Sequence, residues 1–151
     1  MCRMSEFVVR DAIIVDLKSS SKDGVIREMV THLQQAGHFM NSPADQIVAA
    51  IMRREQLGST GIGRHIAIPH AKHAGAEKLI GTIALSRTGV PFDSIDGQPV
   101  HVLVLLISPQ DRPGDHLRAL ESVVRSMRNE DFVTELRKSE SGEQVWNLLK
   151  R

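Results

Sequence analysis

The segment from Val100 to Ile107, VHVLVLLI, constrains the fold more than any other. Only His101 interrupts a run that is otherwise apolar and rich in β-branched residues. An ordinary half-buried strand alternates apolar with polar side chains, and this one does not. It has no face to give to water. That predicts a central strand covered on both sides. The run is also far shorter than the ~20 residues a membrane-spanning helix requires.

The flanking segments supply the cover. Ser21 can cap a helix whose apolar positions are Val25, Ile26, Met29, Val30 and Leu33, with Gly37 as its stop. NSPAD then reads as a second helix start, with Ser42 at N-cap, Pro43 at N1 and Asp45 at N3. Ile47, Val48 and Ile51 share one face of that helix, which ends near Leu57–Gly58. Ala12–Leu17 is a short candidate strand. A block of strands follows the two helices: HIAIPHA, LIGTIALSRTG and the central run, with DGQ as a turn. From Pro113 the helical period returns, with Asp115 as N-cap and Leu117, Leu120, Val123, Val124 and Met127 as the inward stripe. NEDFVTELRKS and SGEQVWNLLKR read as two more short helices. The order predicts an α/β fold of layered α/β/α type, a central mixed β-sheet flanked by helices. At 151 residues the chain is expected to form one domain, 1–151.

Composition narrows the functions. Lys plus Arg total 19 against 18 for Asp plus Glu, so no general affinity for nucleic acid or anionic membrane is expected. Aromatic residues are 3% with no tyrosine, which removes stacking platforms for single-stranded nucleic acid. Cys2 is the sole cysteine, so an intrachain disulfide and a cysteine zinc site are both excluded. With no apolar signal core at the N-terminus, a cytoplasmic location is expected.

The candidate chemistry gathers in REQLGSTGIGRHIAIPHAKH, Arg54 to His73. Gly58, Gly61 and Gly63 permit positive φ and close backbone approach, but no phosphate-loop pattern GxxxxGK[ST] is present. His70 stands where the apolar IAI run stops, behind Pro69, at an expected strand end, where ligand crevices form in α/β sheets. A neutral imidazole there can act as a nucleophile. The plainer reading is a surface or capping histidine. His116 falls in the first turn of the Pro113 helix, where dipole and free amides favour an anion. An ordinary exposed residue fits that position equally. Arg54 closes the second helix. It either complements the helix dipole or reaches over the glycine turn to an oxyanion. His65, His70 and His73 fall within nine residues, yet no HExxH pattern exists and Pro69 breaks any helix that would align them, so zinc is disfavoured. Ser59 lies in GSTG, without the GxSxG of a serine hydrolase.

The order of these residues resembles the signature of the enzyme IIA domain of the fructose–mannitol class of the bacterial phosphoenolpyruvate-dependent phosphotransferase system. GVPFDSIDGQPVHVLVLLISP and GDHLRALESVVRSM are similar to further segments of that family, so the resemblance spans nearly the whole chain. It implies that His70 is the phosphorylated histidine, His116 the second active-site histidine, Arg54 an active-site arginine, and Thr60 part of the binding signature. It implies a phosphoryl relay without cofactor or metal. The donor would be a histidine-containing phosphocarrier protein, and the acceptor a IIB domain or a regulatory target. Three roles remain open: a nitrogen-type regulator, a sugar-transport component, or a partner-binding module without transfer. His65 replaces a common glycine before IAIPH, so if that glycine serves φ > 0, either His65 takes a less common, left-handed backbone or the loop differs. If His116 lies in an exposed first turn, His116→Ala should slow transfer and leave the fold intact.

Overall fold

The computed structural model describes residues 3–151, so Cys2 lies outside the described residues. Six helices and five strands follow in the order α1 (Met4–Phe7), α2 (Lys22–Gln35), α3 (Ala44–Gln56), β1 (Gly61–Gly63), β2 (Ile66–Ala67), β3 (His70–Lys72), β4 (Ile80–Val90), β5 (Val100–Ser108), α4 (Pro113–Met127), α5 (Glu130–Lys138) and α6 (Gly142–Leu149). A 3₁₀ turn spans Arg10–Ala12.

The expected central strand is β5. On one side it pairs antiparallel with β4, with Thr82 opposite Leu105. On the other side it pairs parallel with β2 and then β3, with Ala67 opposite Leu103 and His70 opposite Leu106. β1 extends the sheet antiparallel beyond β2. The sheet is therefore mixed, and helices cover both faces. Leu103, Leu105 and Ile107 of β5 pack into one core with α2 and α3. Val102, Val104 and Leu106 point the other way, into a second core with α1, α4, α5 and α6. The period-2 alternation of a strand thus divides one apolar run between two helical layers.

Three of the six helix starts are closed by a side-chain cap. Ser21 accepts from the Gly24 amide, Asn129 from Phe132 and Ser141 from Gln144. The second helix differs from expectation. Pro43 is its N-cap and Ser42 lies one residue outside; the Ser42 carbonyl accepts from Gln34 Nε2 instead, at 2.8 Å. Ala12–Leu17 also differs. It is not a strand but runs beside the free edge of β4 and touches it through an isolated bridge, Ile14 with Ala84, as Val8 does with Gly81. The 3₁₀ turn draws the chain away between those points, and the Thr82 hydroxyl takes the Ala12 carbonyl at 2.8 Å. The segment covers the edge without completing a ladder, which still shields it from outside pairing.

Of the two alternatives at His65, the left-handed backbone is the one present. Arg64 and His65 have φ of 54° and 70°, following Gly63 at 90°. Asp96 accepts the Arg64 amide at 2.9 Å, and the His65 carbonyl receives the His101 and Val102 amides at 2.9 and 3.0 Å. These bonds hold the two L-residues in a conformation they rarely adopt. Gly61 is required for a different reason: a Cβ there would overlap the Ser94 hydroxyl.

Because β5 is sealed on both faces, Leu105→Ala should cost ~2–5 kcal/mol in denaturant unfolding. Leu117→Ala, at a leucine 57% exposed, should stay within about 0.5 kcal/mol. Equal losses at the two positions would contradict this placement of the core.

Candidate functional site

His70 is positioned by its backbone. The segment β2–Ile68–Pro69–β3 follows one track along β5, but the ladder breaks at Ile68 and Pro69. His70 therefore opens β3 and does not end the preceding strand, as expected from sequence. Pro69 has no amide to satisfy, so the break leaves no orphan donor there. The Ile68 amide donates to the Thr60 carbonyl at 3.0 Å, and the Leu106 amide to the Pro69 carbonyl at 3.0 Å. The chain before His70 is thus tied on both sides.

The break also frees the Ile68 carbonyl, which lies 2.7 Å from His70 Nδ1. A carbonyl only accepts, so Nδ1 carries the proton and Nε2 keeps its lone pair in the neutral ring. Burial lowers the His70 pKa from its ordinary value. The Ile68 carbonyl opposes that shift, the Arg54 charge reinforces it, and the Glu55 charge opposes it.

His116 is not an exposed first-turn residue. It is 7% exposed and sits on the inward face of α4 with Ala119, Val123 and Met127. Of the expected stripe, Val123 and Met127 are buried and Leu120 and Val124 pack against the core, but Leu117 is exposed and His116 takes the inward place in the first turn. Arg112, not Asp115, is the N-cap, and Asp115 bonds Arg118 from within the first turn. A buried imidazole needs a partner, and Ser108 at the end of β5 supplies one: its hydroxyl hydrogen-bonds His116 Nδ1. The two imidazole centroids lie 5.3 Å apart at an interplanar angle of 55°. Burial, then the charges of His70 and Lys72, lower the His116 pKa to about 4.

Arg54 lies in the last turn of α3, where its Nη1 donates to the Gly58 carbonyl at 2.8 Å. That bond serves a carbonyl at the end of α3, as the helix-end reading of Arg54 has it. Thr60 is placed away from the cleft. It is buried, and its hydroxyl and amide both donate to Glu55 Oε1, the amide at 3.0 Å. Glu55 Oε2 meets Lys22 Nζ at 3.0 Å, and that ammonium lies 4.7 Å from the Phe92 ring centroid. Glu55 thus fastens α3 to β1 and, through the Thr60 carbonyl, to Ile68. Sequence reasoning did not single out Glu55 or Ser108. The one available signal was that Glu55 follows Arg54 directly in the quoted segment.

These elements enclose an open cleft of 430 Å³ lined by Arg53, Arg54, His70, Lys72, His116 and Leu120, with Ala50 and Ala71. Of the first turn of α4, His116 lines it and Pro113 to Asp115 do not. Size alone does not select the cleft: a hollow of 440 Å³ lined by Arg3, Ser126, Phe132, Arg151 and others contains no histidine. The remaining histidines go elsewhere. His65 stacks edge-on against His101 at 5.4 Å and its Nδ1 lies 2.8 Å from the Pro99 carbonyl, while His73 Nδ1 accepts the Gly75 amide. Among the described residues no three His, Cys, Asp or Glu side chains converge as metal ligands. No helix among them is long and apolar enough to cross a membrane. The cleft offers one bare imidazole nitrogen beside a second imidazole, with three cationic side chains around them. That arrangement suits transfer of a doubly charged group between nitrogens.

Residues 6–151 match the family model described as "Phosphoenolpyruvate-dependent sugar phosphotransferase system, EIIA 2". The chain is 32% identical over 146 residues to a nitrogen regulatory protein of Bradyrhizobium diazoefficiens, covering 97% of this chain and 94% of that one. It is 33% identical over 147 residues to a fructose-specific EIIABC component of the phosphotransferase system of Bacillus subtilis, covering 97% of this chain and 23% of that one. Its backbone superposes on the crystal structure of the nitrogen regulatory protein IIA-Ntr from Neisseria meningitidis with a TM-score of 0.87 at 28% identity, covering 97% and 98% of the two chains.

Both site histidines have lowered folded pKa values, so the folded chain refuses protons that the unfolded chain accepts. The stability they contribute is complete above about 6.5 and is lost as pH falls, down to about 4 for His116. NMR titration should give His116 a midpoint near 4. A midpoint at the ordinary histidine value would contradict the burial described. For the same reason His116→Ala should lower stability, by ~1–3 kcal/mol, because it strands the buried Ser108 hydroxyl. An unchanged denaturation midpoint would restore the exposed reading.

Proposed function

The chain belongs to the EIIA 2 family of the phosphoenolpyruvate-dependent sugar phosphotransferase system, and from that membership we propose that His70 is its phosphoryl acceptor. The observation that carries the proposal is the bare Nε2 of His70, left by the Nδ1 bond to the Ile68 carbonyl, on a ring 5.3 Å from a second imidazole in a cationic cleft. The donor is a phosphohistidine on a small phosphocarrier protein. The lone pair of His70 Nε2 attacks phosphorus in line, the P–N bond to the donor imidazole breaks, and the donor nitrogen recovers its lone pair. His70 keeps its Nδ1 proton throughout, so no base is required. The Ile68 carbonyl accepts from that N–H and stabilises the positive charge that develops on the ring.

Arg54, Lys72 and the His116 ring oppose the charge spread over the equatorial oxygens. A well-aimed donor of that kind is worth ~3–4 kcal/mol in a transition state. Thr60 acts from behind the site, as the joint between Glu55 and the Ile68 tether. One domain carries all of these parts.

The chain acts as a nitrogen-type regulator. Support comes from the near full-length likeness to the Bradyrhizobium protein and the 0.87 TM-score with the Neisseria IIA-Ntr structure. The second reading, a fructose-type transport component that hands phosphate to a IIB partner, is supported by the identity to the Bacillus subtilis component. The intact histidine pair argues against a binding module without transfer.

With phosphoenolpyruvate, the first enzyme of the system and its phosphocarrier, the chain should gain one acid-labile phosphoryl group, and His70→Ala should gain none. Equal labelling of His70→Ala would remove His70 from the role. Passage of the label to a fructose-type IIB domain at rates typical of transport would favour the second reading over the first.

A further inference from the structure

We propose that Ser108 is a positioning residue that sets the tautomer of His116, donating its hydroxyl proton to Nδ1 and so holding the Nε2–H toward the cleft. This rests on the reading of His70 as phosphoryl acceptor for its kinetic consequence, but not for its geometry.

The direction of the bond follows from accounting for one proton. Ser108 is 0% exposed, and its hydroxyl has no hydrogen-bond partner besides His116 Nδ1 among the described residues. If Nδ1 carried the proton and donated to the hydroxyl, the serine proton would be buried without an acceptor. A buried donor without an acceptor loses its bonds to water and gains nothing in exchange. If the serine donates, every group is satisfied, and the imidazole proton moves to Nε2. The position of Ser108 is itself fixed. It pairs with Lys72 in the parallel ladder, and its carbonyl accepts the His73 amide at 3.0 Å. A hydroxyl on a buried ladder strand is a more exact support than one on a loop.

The two histidines are therefore held in opposite tautomers by two neighbouring partners. At His70 a carbonyl, which can only accept, forces Nδ1–H and bares Nε2. At His116 a hydroxyl with a proton to place bares Nδ1 and forces Nε2–H. One ring presents a lone pair and the other a donor. A phosphoryl group between them needs both, the lone pair for phosphorus and the N–H for an equatorial oxygen. His116 supplies that donor while neutral, in keeping with its lowered pKa. Two rings in the same tautomer would offer two nucleophiles or two donors.

Nitrogen-15 correlation spectra of the unphosphorylated protein near neutral pH test the assignment directly, because a ring nitrogen bearing a proton resonates far from a bare one. Nδ1–H is expected for His70 and Nε2–H for His116. An Nδ1–H signature at His116 overturns the proposal whatever the protein's activity. Ser108→Ala should disorder the His116 ring, read as loss of its hydrogen-bonded Nδ1 signature, and slow phosphoryl uptake on the order of tenfold. Ser108→Thr, which keeps the hydroxyl, should restore the signature, and with it the rate. An Ser108→Ala protein with an unchanged His116 spectrum overturns the proposal, as does one with unchanged uptake while the wild type is phosphorylated. Should the wild type take up no phosphate, the reading of His70 fails, and the spectra alone decide the role of Ser108.

Discussion

The constraint on which the structure depends is that β5 has no face toward water. Its alternate side chains feed two cores, so the strand must lie in the middle of the sheet with helices above and below. Both long edges are then committed, one to β4 and the other to the track of β2 and β3. The functional residues are registered against this strand. Leu106 holds the Pro69 carbonyl and pairs with His70, and Ser108, two residues on, meets His116. The strand sealed on both faces is also the ruler that sets the distance between the two imidazoles.

Polar groups enter this apolar frame only with partners, and each pair joins two elements. Glu55 joins α3 to β1 through Thr60 and to α2 through Lys22. Ser108 joins β5 to α4 through His116. Buried polar pairs of this kind cost desolvation and contribute little net stability, but they reject other arrangements, because any displacement strands a charge or a proton. The cleft thus has walls tied by hydrogen bonds and a lining of cationic side chains.

Legibility in the sequence varied with how local the cause was. The cap at Ser21 was visible because a cap is a matter of a few adjacent residues, and the segments that open at Asn129 and Ser141 were read as helices although their caps were not named. The helix at Ala44 began one residue later than its signal, since Ser42 was engaged by Gln34 from the preceding helix. Ala12–Leu17 has the composition of a strand, but the 3₁₀ turn before it limits it to one bridge. The first turn of α4 was misread for a related reason. Leu117 is more apolar than His116, and nothing in the sequence of α4 reveals that a serine on another strand waits for the imidazole.

The sequence alone determined that the chain would build a doubly covered mixed sheet, because an unbroken apolar strand has no other stable place. It also determined that His70 would stand on a stiff segment, because proline restricts its own backbone regardless of context. Tertiary structure decided the rest of the site. Which ring nitrogen of His70 is bare depends on a ladder break that frees the Ile68 carbonyl. Whether His116 is inside or outside depends on the rotation of α4, and what it can donate depends on Ser108. These are properties of hydrogen bonds between distant segments, and such bonds exist only once packing has brought donor and acceptor within reach.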